Sequence, residues 1–203
     1  MTQIISAMNN KEIRVYNMQQ SEVKDGNYVF GYAALFNSMS EEFFGMWREV
    51  IDPGAFDDAD ISDVRALFNH DNNLLLARTK SGTLDLEIDA NGLKYEFEAP
   101  NTSYGKDLVE LMRRGDVTQS SFGFTIAKDG EYWEERSGQM PVRHITRVEK
   151  LYDVSPVTYP AYPDTTVAMR NLEMIQQLAT RTENKQYFDL YDKNLQLLSK
   201  LMQ

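Results

Sequence analysis

The chain has 203 residues, of which 42% are apolar, and at roughly 150 residues per domain this fits one domain with a tail. It has no cysteine, which excludes disulfides, thiol nucleophiles and thiolate metal sites together. Its two histidines, His70 and His144, are too few for a multi-histidine metal centre. The 31 acidic and 21 basic side chains leave a net charge of −10, which repels phosphate backbones and anionic lipid, and the one basic pair, Arg113-Arg114, makes no patch. No apolar run approaches the roughly 18–20 residues of a membrane span, and residues 1–10 lack the basic start and apolar middle of a signal peptide. The sequence therefore reads as a soluble protein of a reducing compartment. It is expected to bind neither nucleic acid nor membrane and to need no metal or cofactor.

Three zones follow one another. Residues 1–26 form a polar lead-in with one short strand expected at Ile13–Tyr16. Residues 27–170 hold ten of the eleven glycines, all six prolines and both histidines. Residues 171–203 have neither glycine nor proline. In the middle zone strands are predicted at Tyr28–Phe36 and Val64–Asn69. At Thr83–Asp89, Leu84, Leu86 and Ile88 alternate with acidic residues, and at Leu93–Glu98, Leu93, Tyr95 and Phe97 alternate with charged ones. Asn91-Gly92 between these two runs predicts a tight hairpin built on positive φ. Leu108, Leu111 and Met112 recur at helical spacing, with N-cap candidates at Asn101–Ser103 and Gly115 as a left-handed stop.

Further strands are predicted at Ser120–Lys128, Glu131–Glu135, Val142–Val148 and Leu151–Thr158. A mostly β chain with flanking helices (α+β) would expose many edges as open sheets, so a closed or nearly closed β-barrel is expected, with helices packed outside. In the tail, Tyr187/Phe188, Tyr191, Leu195, Leu198 and Leu201/Met202 form positions three or four apart and predict an amphipathic C-terminal helix. That helix would cover the barrel, dock to a partner or form a dimer seam.

Without cysteine, nucleophilic hydrolysis falls to a serine or threonine activated by histidine, or to a carboxylate site. His70 ends the apolar run Ala66-Leu67-Phe68-Asn69 and precedes a polar turn, a place where functional groups are displayed and where many histidines are merely structural. In Ser120–Ile126, alternation puts Ser120, Phe122, Phe124 and Ile126 on one face and Ser121, Gly123 and Thr125 on the other. The aromatic face can anchor in a core. A small hydroxyl beside a glycine gap suits a nucleophile approached by a peptide carbonyl, and it equally suits tight sheet packing. Asp153 is a charge inside an apolar strand, so it is either paired or turned to the surface. Pro156, Pro160 and Pro163 predict an edge strand or an irregular run.

Taken in order, these segments resemble a known family. The stretches are Gly31-Tyr32-Ala33-Ala34-Leu35-Phe36-Asn37, Glu49-Val50-Ile51-Asp52-Pro53-Gly54-Ala55-Phe56, Asn69-His70-Asp71, Gly82-Thr83-Leu84 and Asn91-Gly92-Leu93. Arg114-Gly115-Asp116 leading to Ser121-Phe122-Gly123-Phe124, Asp153-Val154-Ser155 and Pro160-Ala161-Tyr162 complete the set. The chain resembles the prohead (capsid-maturation) serine proteases of tailed bacteriophages, distant relatives of the herpesvirus assemblins, over roughly residues 31–170.

The resemblance implies a barrel of the assemblin type and a catalytic set His70, Ser121 and Asp153. His70 would be the general base, Ser121 the nucleophile and Asp153 the orienting acid, standing where the family more often has glutamate. His144 is the alternative third member, as in the assemblins, and Glu149 a weaker one. The oxyanion hole is expected among backbone amides near the proline-rich run after Asp153. The family's partners would be the major capsid protein with its internal scaffolding segment, and the protease itself through self-association or through self-cleavage, for which the helical tail 171–203 is a candidate segment. The setting would be the host cytoplasm, inside the assembling prohead. A different reading is a non-catalytic assembly factor that binds capsid or scaffold through the same barrel and tail; a carboxylate-dependent hydrolase has acids enough but no distinguished pair.

Overall fold

The computed structural model describes residues 11–16, 22–24, 26–43, 47–135 and 139–158. The described strands are β1 (Glu12–Tyr16), β2 (Glu22–Lys24), β3 (Tyr28–Leu35), β4 (Arg48–Ile51), β5 (Arg65–Leu67), β6 (Leu75–Arg78), β7 (Leu84–Ile88), β8 (Gly92–Glu98), β9 (Gln119–Ile126), β10 (Glu131–Glu134), β11 (Val142–Ile145) and β12 (Val148–Val157). One helix, α1 (Ser103–Arg113), lies between β8 and β9. The strands form a five-stranded sheet in the order β1-β9-β12-β5-β6, a four-stranded sheet β2-β3-β8-β7 and a three-stranded sheet β10-β11-β4.

The fold is mostly β with one described helix, in keeping with the α+β expectation. A closed barrel is not found among the described residues. Ladder pairing stops at β1 and β6 in one sheet, at β2 and β7 in the second, and at β10 and β4 in the third. A single bridge, Phe36 with Ile51, and side-chain packing join the sheets instead, and Asp60 bridges from the loop before β5 to Lys150 on β12. Phe56 meets Phe122 edge-on at 5.8 Å, and Phe122 stacks on Phe124 at 4.7 Å. Val29, Leu93, Tyr95, Leu108, Val154 and Leu151 complete a core of fully buried apolar side chains. The predicted C-terminal helix and the whole stretch 171–203 lie outside the described residues.

Of two local predictions, one meets different physics. The hairpin β7–β8 forms, with Ile88 paired to Leu93, but neither Asn91 nor Gly92 has positive φ. The Asp89 carboxylate closes the turn instead, accepting the backbone N–H of Asn91 at 2.7 Å and of Gly92 at 3.0 Å. Gly92 is required by close approach: a Cβ there would strike the carbonyl of Ala34 on β3. The helix follows expectation, with Thr102 accepting the Gly105 N–H as N-cap and Gly115 at φ +79° ending it.

The prolines predict an edge strand or an irregular run, yet Pro156 lies in β12, a regular strand central to its sheet, between β9 and β5. Its carbonyl accepts the Asn69 N–H at 3.1 Å, beyond the point where β12 pairs with β5 at Asp153 and Val154. A residue's N–H and C=O point to the same side of a strand, so the donor proline lacks falls where no ladder partner remains. The lead-in contributes two strands, β1 against β9 and β2 against β3.

Candidate active site

The period of two along β9 and β12 builds the site. In their antiparallel ladder Ser121 lies opposite Ser155, Phe122 opposite Val154, and Gly123 opposite Asp153. Phe122, Phe124 and Val154 are buried in the apolar core, so Ser121, Gly123, Asp153 and Ser155 share the other face. Ser120, on the core face, is spent on a hydrogen bond of 2.7 Å with the Tyr95 hydroxyl.

His70 arrives from the loop after β5. Asn69 and His70 are consecutive left-handed residues, at φ +56° and +57°, which swing the chain back over β12. The conformation is uncommon for non-glycine residues, more so for histidine than for asparagine, and its cost is offset by local anchoring. The Asn69 N–H donates to the Pro156 carbonyl at 3.1 Å, its side-chain carbonyl accepts from the Thr158 N–H at 2.9 Å, and Asp71 N–H donates to the Phe68 carbonyl at 3.1 Å.

The result is a continuous hydrogen-bonded chain. His70 Nε2 lies 2.5 Å from Ser121 Oγ, and His70 Nδ1 lies 2.5 Å from Asp153 Oδ1. An ionised carboxylate only accepts, so Nδ1 carries the proton and Nε2 is left to accept from the serine hydroxyl. Ser155 Oγ donates to the same Asp153 Oδ1 at 2.9 Å, and the Lys11 ammonium donates to Oδ2 at 2.5 Å. Burial pushes the Asp153 carboxyl up. The hydrogen bond and charge of His70, then the charge and hydrogen bond of Lys11, outweigh it and hold the group down at about 2. Ser121 has a second acceptor, the Arg14 carbonyl on β1, at 2.9 Å. Ser121 and Ser155 are fully buried and Asp153 is 1% exposed, whereas His70 and Lys11 keep contact with solvent.

A buried charge cluster holds β1 in place beside this group. Arg14 Nε donates to Glu49 Oε1 at 2.6 Å and its Nη2 pairs with Glu12. Arg143 Nη1 reaches Glu12 at 2.9 Å and Glu49 at 3.1 Å, and its Nε reaches Glu131 at 2.6 Å. The Arg14 guanidinium also lies over the rings of Phe43 and Phe124, at 5.2 and 5.8 Å. Burial pushes Glu12 up, but the charges of Arg14 and Arg143 prevail and hold it at about 2, so Glu12 is ionised.

Of the predicted residues, the structure brings His70, Ser121 and Asp153 together. His144 sits on β11, with Nδ1 2.9 Å from Asp52 Oδ1, Nε2 3.3 Å from Glu134 Oε2 and its ring stacked on Tyr132. These contacts fill both ring nitrogens away from Ser121. Glu149 is exposed and meets Thr125 at 3.5 Å. The proline-rich run from Pro160 lies outside the described residues. Sequence reading missed three residues of the site. Ser155, two positions after Asp153, was findable by the strand period; Asn69 was suggested by asparagine's tolerance of the left-handed region. Lys11, distant in sequence, carried no signal.

A hydroxyl, an imidazole and a carboxylate linked in this order form the constellation of a serine hydrolase. Comparison with known proteins narrows the class. The family described as caudovirus prohead serine protease matches residues 14–179, so the chain belongs to that family and is a serine protease. It is 28% identical over 177 residues to the prohead protease of Enterobacteria phage HK97, covering 82% of this chain and 72% of that protein. Among solved structures it resembles the capsid assembly protease of bacteriophage T4. That likeness has a TM-score of 0.48 at 10% identity and covers 75% of this chain and 100% of the other.

Proposed function

We propose that this chain is the endopeptidase that processes its phage's prohead, with Ser121 as nucleophile, His70 as general base and Asp153 as the acid that orients and stabilises the imidazole. The observation that carries the reading is the unbroken relay from Ser121 Oγ through both nitrogens of His70 to Asp153, with 2.5 Å at each step. As Ser121 Oγ attacks the scissile carbonyl carbon, its proton passes to His70 Nε2, and the imidazolium formed is stabilised by the ionised Asp153. Collapse of the tetrahedral intermediate breaks the C–N bond, and Nε2 returns the proton to the leaving amine. Water, deprotonated by the same nitrogen, then releases the acyl group from Ser121.

The substrate is the major capsid protein, from which the internal scaffolding segment is removed, and the protease cleaves itself as well. The work takes place in the host cytoplasm inside the assembling prohead. Family membership supports that assignment, and it is in keeping with the name of the similar HK97 protein, a prohead protease. The test is co-expression with the cognate capsid protein. Ser121→Ala abolishes processing of the capsid protein and of the protease, while Ser120→Ala, which alters only a buried bond to Tyr95, keeps it. Processing that survives Ser121→Ala overturns the mechanism.

A further inference from the structure

We infer that Lys11 is a positioning residue of this protease, threaded through the space left by Gly123 to hold the second carboxylate oxygen of Asp153. The inference rests on the roles proposed for Ser121, His70 and Asp153. It concerns a residue that precedes the span matched by the family, residues 14–179.

Two independent features of the structure meet at Lys11. Its Nζ donates to Asp153 Oδ2 at 2.5 Å, the one oxygen of that buried carboxylate that neither His70 nor Ser155 uses. Gly123 faces Asp153 across the ladder, and a Cβ built on it would fall on Lys11 Cε and within 2.5 Å of Asp153 Oδ2. The gap beside the serine is therefore a channel for the Lys11 side chain, and not open room for an incoming peptide. Lys11 stands one residue before β1, and β1 is fixed by Arg14 with Glu49 and by Glu12 with Arg143. The ammonium is thus delivered from a rigid strand.

Its physical effect follows from charge. The carboxylate shares its negative charge between an imidazole and an ammonium. With the ammonium gone, the whole charge acts on His70, the imidazolium form is favoured, and the free base is lost at a higher pH. The other charged groups around the pair are engaged elsewhere. Arg65, the β5 register partner of Asp153, turns to Asp63; Asp71 bonds Asn73; Lys150 on β12 bonds Asp60. Among the described residues Lys11 is the cation that pairs with this carboxylate besides His70, and its Nζ lies over the Tyr152 ring, 5.7 Å from the ring centre.

The experiment uses the full chain and a fluorophosphonate probe, which reports activation of the serine without a peptide substrate. Labelling rate is measured against pH for the unaltered protein, Lys11→Met, Lys11→Arg and Ser121→Ala. In Lys11→Met the acid limb moves up by about one pH unit, so labelling on that limb is about tenfold slower. Lys11→Arg, which keeps the charge, returns the limb to its original position. Limbs that superimpose overturn the inference, as does a uniform loss in Lys11→Met that Lys11→Arg fails to rescue, the mark of a merely structural side chain. Labelling that persists in Ser121→Ala overturns the underlying site reading and this inference with it.

Discussion

The side-chain carbonyl of Asn69 accepts the backbone N–H of Thr158 at 2.9 Å, so the residue before His70 is clipped to the end of the strand that carries Asp153. This contact sets the imidazole because the left-handed backbone at Asn69 and His70 determines which way the ring points. Asn69→Ala removes the clip and puts an ordinary residue in a conformation it disfavours by about 1–2 kcal/mol. The expected outcome is a folded protein whose kcat/KM falls by about 10- to 100-fold, the scale of a misplaced catalytic group. Asn69→Gly tolerates the backbone but lacks the acceptor, and should fall between. Steady-state cleavage of the capsid protein checks both; an alanine variant within about twofold of the parent means the clip does not position His70.

Asp153→Asn tests the acid without changing its shape. The amide supplies one acceptor where the carboxylate satisfies His70, Ser155 and Lys11 together. An NH2 group turned towards Nδ1 forces the other tautomer, with the proton on Nε2 facing Ser121. Activity should fall by about three to four orders of magnitude in a protein that still folds, with some loss of thermal stability because Asp153 is held ionised in the folded state. A variant that still cleaves within about tenfold of the parent removes Asp153 from the mechanism.

What could be read from the sequence was what periodicity and local chemistry control. The alternation of Ser120–Ile126 placed Ser121 opposite the aromatic face, because β9 is a regular strand with one side in the core. The helix was legible through Thr102, Leu108, Met112 and Gly115, all of which act within a few residues. The barrel was not, since closure depends on whether edge strands such as β6 and β2 find a further partner, which local pattern does not encode. Lys11 and Arg14 were hidden for a related reason. Asp153 lies 142 residues from Lys11 and Glu49 lies 35 from Arg14, and a charged residue in a polar lead-in looks like solvent-facing sequence until its strand pairs with β9. The gap at Gly123 was legible as a gap, but its occupant was not.

Acid should weaken the fold over a defined window. Glu12 is held at about 2 against an ordinary 4.5, and Asp153 at about 2 against 3.8. Both hold their protons less tightly folded than unfolded, so between about pH 5 and pH 2 the unfolded chain binds more protons and stability falls as pH falls. Urea unfolding should show the contribution of these two groups intact above about pH 5, with progressive loss below it. Glu12→Gln, measured from pH 7 to 3, should be less stable at neutral pH and show a shallower acid loss. An acid slope identical to the parent's would mean that Glu12 is not ionised against Arg14 and Arg143.

The buried cluster carries a last prediction, which separates holding the fold from holding the site. Glu49 is fully buried and accepts from both Arg14 and Arg143, so Glu49→Gln leaves two desolvated guanidinium groups short of a negative partner. Breaking one member of such a buried set costs about 3–5 kcal/mol, on the order of 10 °C in melting temperature for a chain of this size. Glu131, at the rim and 26% exposed, pairs with Arg143, and Glu131→Gln should cost well under half as much. The two variants should also differ in activity. Arg14 anchors β1, and β1 carries the carbonyl that faces Ser121 and follows the lysine that faces Asp153. Glu49→Gln assayed well below its own melting temperature should therefore cleave more slowly than Glu131→Gln assayed the same way. Equal rates for the two, with the stability difference intact, would show that the cluster supports the fold without positioning the strand at the active site.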